Sequence, residues 1–139
     1  MKSERMRNII AQGWLSILLI LITMAIVSVL QDVLDGNLQG ALNARGGHKE
    51  LWYTTILFIV AAAMPFLIKI FEAKTFKWTV FVITLLWTLS FMVSWVRDRV
   101  TAQGHYYHLL FLAHSIVSIW TTIVAYNWAR LKNNSIIKE

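Results

Sequence analysis

Four apolar runs, each close to the length of a membrane crossing, constrain this chain more than anything else in it. The last is the most informative. Residues 105–130 read HYYHLLFLAHSIVSIWTTIVAYNWAR, with aromatic residues at both ends and a histidine inside. Its apolar part covers residues 107–129, and three earlier runs of similar length cover 14–30, 51–70 and 78–96. A helix needs ~20 residues to cross a hydrocarbon core of ~30 Å. No water reaches that core, so each crossing must satisfy its backbone polar groups internally, which a helix does. The reading is an all-α integral membrane protein: a single four-transmembrane-helix bundle with both termini on one side.

Composition supports this. The chain is 58% hydrophobic with a mean hydropathy of +0.59, against roughly 45–50% apolar in water-soluble domains. There is no cysteine. That removes disulfides, thiol nucleophiles, cysteine-held zinc and iron–sulfur clusters from consideration.

Between the runs lie short polar segments. The N-terminal lead-in carries Lys2, Arg5 and Arg7 ahead of the first run, and no small-residue cleavage pattern follows that run, so an uncleaved signal anchor is expected. In the loop 31–50, Leu34, Leu38 and Leu42 recur every four residues, which predicts a short amphipathic helix ended by Gly46 and Gly47. An inner turn is expected over 71–77, a second outer loop over 97–106, and a polar tail over 130–139.

Lysine and arginine set the orientation. The N-terminus, the 71–77 side and the C-terminus hold nine of the thirteen, for a net charge of +6, while the other two loops are neutral overall. The basic side stays cytoplasmic. Trp78, Tyr126 and Trp128 then fall at the inner interface. Trp52, Tyr53, Trp95, Tyr106 and Tyr107 fall at the outer one, where rings with one apolar and one polar edge are favoured. A plasma membrane of bacterial style is expected.

Several residues bear on chemistry. His114 lies about two turns inside the fourth run and shares a helical face with Ser118, Thr121, Thr122 and Ala125. An ionisable residue in a membrane is a functional candidate by default. The plainer role is a neutral imidazole bonded to a hydroxyl or carbonyl as packing glue, and the lack of a second ionisable group at matching depth favours that role. His105 and His108 are three residues apart on one face. With His48 in the other outer loop they form a candidate metal or ligand contact, although interfacial histidines are also ordinary. Arg97, Asp98 and Arg99 read either as a solvated helix exit or as vestibule charges in an oligomer. Pro65 removes the backbone bond to Ala61 and should kink or loosen its helix.

Absences narrow the field further. The first run has no acidic residue, unlike small multidrug transporters. Paired cysteines of the quinone-reducing four-helix oxidoreductases are missing, as is the glycine-rich opening of small fluoride channels. No nucleophile–base motif appears, no folded domain supports nucleic-acid binding, and no cofactor is expected. The function expected is a non-enzymatic, homo-oligomeric membrane subunit. It would sense, anchor or signal to a cytosolic protein partner, in the manner of stress or phage-defence components, with its basic face on anionic headgroups. The alternatives are an oligomeric pore, and a metal or haem protein using the histidines.

Overall fold

The computed structural model describes residues 2–34, 36, 47–100 and 106–131. Among them the protein is all-helical, with four helices: α1 (Lys2–Leu34), α2 (Gly47–Ile70), α3 (Lys74–Val100) and α4 (Tyr106–Arg130). The proposed surface helix at Leu38 and Leu42, along with His105, lies outside the described residues.

Three helices are long and apolar enough to cross a membrane, over Lys2–Gln31, Lys74–Ser94 and His108–Arg130. The apolar part of α2 that is described is shorter, Thr55–Ile70. All four helices overrun the apolar stretches read from sequence. At its 33 residues, α1 is roughly 50 Å long, so its basic first turns extend the same rod instead of forming a separate lead-in. Gly36 follows its end at a φ of 65°, in the left-handed region, and donates its N–H to Val33 O at 3.2 Å. That is glycine's usual place just past a helix. The turn expected over 71–77 is only three residues long, because α3 starts at Lys74 and closes its first bond from Lys77 N to Ala73 O. Pro65 is buried within α2, which continues past it to Ile70.

The packing order differs from the chain order. α1 packs on α2 and on α4, and α4 packs on α3 as well. The first and last helices therefore form the centre. Ile10, Trp14 and Ile17 of α1 are fully buried against a core that includes Ala61 and Ile68 of α2, Val80 of α3, and Ala125 and Trp128 of α4. Gly13 makes the α1–α4 contact possible: a Cβ there would collide with the Thr121 side chain. Close approach at small residues is how apolar helices gain packing energy when the surrounding medium is as apolar as they are.

Candidate functional site

A polar seam runs between α3 and α4. Its α4 side is the face predicted from sequence, with His114, Ser118 and Thr121 fully buried and Thr122 half-buried. α3 supplies the other side, with Thr84, Trp87 and Thr88, all buried. The indole of Trp87 donates to His114 Nε2 at 3.2 Å, and His114 Nδ1 lies 3.3 Å from Ser118 Oγ. An indole N–H can only donate. Nε2 must therefore carry the lone pair, and the ring proton of this imidazole sits on Nδ1. Phe91 stacks on the imidazole, with ring centroids 3.8 Å apart and 21° between planes. Both nitrogens and one face of His114 are thus occupied by neighbouring side chains.

The hydroxyls are equally committed. Thr84 donates to Val80 O, Thr88 to Thr84 O, Thr121 to Val117 O and Thr122 to Ser118 O, each one turn back along its own helix. This back-bonding is the usual way a hydroxyl is satisfied inside an apolar helix. Two links cross between the helices: Thr88 Oγ1 and Thr122 Oγ1 are 3.0 Å apart, and Thr122 Oγ1 lies 3.5 Å from Thr84 O, so a hydroxyl proton is shared between a back-bond and the crossing. Trp87 also meets Trp14 edge-to-face at 5.2 Å, tying the seam to α1.

A second cluster sits at the opposite end of the same two helices. Lys77 is 3% exposed and places Nζ 5.4 Å from the Trp128 ring centroid. Trp128 is fully buried and donates its indole N–H to Ser3 Oγ at 3.1 Å. This corrects its reading as a belt residue: the ring is a core contact, and its polar edge binds the start of α1. Trp78 and Tyr126, the other two residues assigned to that belt, are exposed and touch edge-to-face at 6.3 Å. The Arg130 guanidinium lies over Tyr126 at 5.3 Å. Arg7 forms an ion pair with Glu72, joining α1 to the α2–α3 turn.

The remaining candidates are not brought together. His108 is half-buried on α4, six residues before His114. The backbone of His48 is helical at the start of α2, and Arg97, Asp98 and Arg99 are helical at the end of α3. Their side chains, like His105, lie outside what is described. Among the described residues no three histidine, aspartate or glutamate side chains gather as a metal site requires.

Sequence reasoning missed the α3 half of the seam. Thr84 and Thr88 are spaced to share a face, and Trp87 and Phe91 repeat that spacing beside them. That pattern was available, but two aromatics among aliphatic residues are read as packing. Lys77 was counted only as a topological charge.

No protein-family model matches the chain, and neither a curated protein nor a solved structure matches it.

Proposed function

We propose that this protein is a non-enzymatic, homo-oligomeric subunit of a bacterial plasma membrane, crossing the bilayer four times with both termini cytoplasmic. It anchors or senses on behalf of a cytosolic partner protein. One observation carries the non-enzymatic part: His114, the one fully buried histidine among the described residues, spends both ring nitrogens on Trp87 and Ser118. A general base or a metal ligand needs a free lone pair directed at a substrate or ion. The seam's hydroxyls bond back along their own helices and also meet across the α3–α4 contact, which supports a packing role for them over a channel lining.

The orientation rests on charge. Lys2, Arg5, Lys69, Lys74 and Arg130 are exposed at one end of the bundle, with Glu4 and Glu72 the acids among the described residues there. That end faces the anionic cytoplasmic leaflet. The surface available to a soluble partner is this basic end.

The test is affinity isolation of tagged full-length protein from its own host in a mild detergent, with the mass of the complex measured. A discrete homo-oligomer carrying a stoichiometric soluble protein supports the proposal. A lone monomer, or a purified sample with a Soret band or stoichiometric metal, overturns it.

A further inference from the structure

Most basic residues at the basic end of the bundle point outward. Lys2, Arg5, Lys69, Lys74 and Arg130 are exposed, which is all that setting the orientation asks of them. Arg7 and Lys77 do the opposite. On α1, Arg7 is half-buried and continues the inward face of Ile10, Trp14 and Ile17, with Ser3 one turn before it. On α3, Lys77 is buried and continues the inward face of Val80, Thr84 and Trp87. Two cations from separate helices therefore turn into the mouth of the bundle. Trp128 of α4 links their surroundings: its indole N–H binds Ser3 Oγ, and its ring centroid lies 5.4 Å from Lys77 Nζ.

Turning a cation inward costs desolvation that an outward one avoids, and topology alone gives no reason to bear it. The donors of α1 at the mouth are also not used up. Arg7 gives Nη1 to Glu72, yet its Nε is buried with no hydrogen-bond partner among the described residues. Ser3 Oγ accepts from Trp128, which leaves its own proton to donate. Glu72 stands on the exposed, non-helical turn 71–73 with its side chain 59% exposed, so it covers Arg7 without being packed in place.

We propose that this mouth is a binding site for a phosphate group. The Arg7 guanidinium and the Ser3 hydroxyl are its donors, Lys77 is a fixed charge behind them, and Glu72 is the carboxylate that a ligand displaces. A forked guanidinium beside a hydroxyl matches the several oxygens of a phosphate better than a single point charge does. The Lys77 charge is buried, so salt and water screen it less than they screen the exposed lysines. Its depth favours a lipid as the source of the phosphate. Lys77 lies in the first turn of the apolar span Lys74–Ser94, near the level of the lipid phosphates, and basic pockets between membrane helices at that level take anionic headgroups. The site deepens the cytoplasmic placement of the basic end proposed above. Its test in detergent has no sidedness, so the two can fail separately.

The experiment is thermal unfolding of the purified full-length chain in a neutral detergent, titrated with phosphatidylglycerol, phosphatidylcholine or inorganic phosphate. Phosphatidylglycerol should raise the melting temperature to a plateau, and phosphatidylcholine should not. An equal plateau with inorganic phosphate alone would support the site and assign it to soluble phosphates. Arg7→Lys keeps the charge but loses the Nε–H and the fork, and should raise the half-saturating phosphatidylglycerol concentration about tenfold. Lys77→Met should raise it as well. Glu72→Gln should lower it several-fold, whereas Glu4→Gln, the same change of charge at an exposed position on α1, should not. If Lys77→Met does not fold, Arg7→Lys and the two glutamate variants decide. No stabilisation by either phosphate source would overturn the site. So would an Arg7→Lys variant that binds like the unaltered chain, or equal effects of Glu4→Gln and Glu72→Gln, since both would reduce the binding to diffuse attraction.

Discussion

Trp87 and His114, from neighbouring helices, are joined by a hydrogen bond of 3.2 Å in which the indole is donor and the imidazole Nε2 acceptor. Twenty-seven positions along the chain separate them, and the bond ties the middle of α3 to the first half of α4. It also fixes the ring, because Phe91 covers its face and Ser118 meets its other nitrogen. The pair should behave as one unit. Trp87→Phe and His114→Phe each leave the other polar group without its partner. Their separate effects on thermal unfolding in detergent should therefore sum to more than the double substitution costs. A coupling of ~0.5–2 kcal/mol is expected from interhelical bonds of this kind in apolar media. Strict additivity would mean the contact contributes nothing.

The α1–α4 contact at Gly13 makes a steric prediction. Gly13→Ala drives a methyl into the buried Thr121 side chain, whose hydroxyl is itself held by Val117 O at 2.7 Å. The helices must separate, and overpacking of this kind costs about 1–3 kcal/mol. Because the nearest atom is the Thr121 hydroxyl oxygen, Thr121→Ala should recover much of the loss when added to Gly13→Ala. Melting followed by size-exclusion chromatography reads both effects. A neutral Gly13→Ala would show that the two helices do not meet as described.

A smaller effect is expected at the Arg7–Glu72 pair. The carboxylate side chain is 59% exposed, and exposed ion pairs contribute ~0–1 kcal/mol and fade with salt. Arg7→Gln should lower the melting temperature only slightly at low ionic strength and not at all near molar salt. A large, salt-independent loss would point to a packing role for the Arg7 stem instead.

How far the sequence alone reached can be judged at particular residues. The four helices were legible because an uninterrupted apolar run of ~20 residues has few other uses. The α4 half of the seam was legible as well: His114, Ser118 and Thr121 stand out as polar residues on one face of an apolar helix. Its α3 partners were not. A threonine that bonds back to its own helix looks the same in sequence whether it faces lipid or another helix, so the shared face of Thr84 and Thr88 does not say what it packs against. Trp128 was misread because interfacial and core tryptophans occupy the same depth near a helix end, and only the position of Lys77 and Ser3 separates the two. The packing order, with α1 and α4 central, depends on Gly13 facing Thr121, a contact between distant parts of the chain that no local pattern announces.

Topology gives a direct prediction for the four-crossing proposal. Lys2→Cys and Asn134→Cys should react with a membrane-impermeant maleimide only after the membrane is opened. Gly40→Cys should react in intact cells. Labelling of one terminus but not the other in intact cells would require an odd number of crossings and would remove α2 as a span.

The most direct test of the central claim, that His114 holds helices together and performs no chemistry, is nitrogen-15 NMR of histidine-labelled protein in lipid bilayers. The account predicts a neutral His114 ring with its proton on Nδ1 and a hydrogen-bonded, unprotonated Nε2, and Trp87→Phe should shift the Nε2 resonance. A proton on Nε2, a charged imidazolium at neutral pH, or a metal-shifted resonance would contradict it and make His114 the starting point for a catalytic or ligand-binding role.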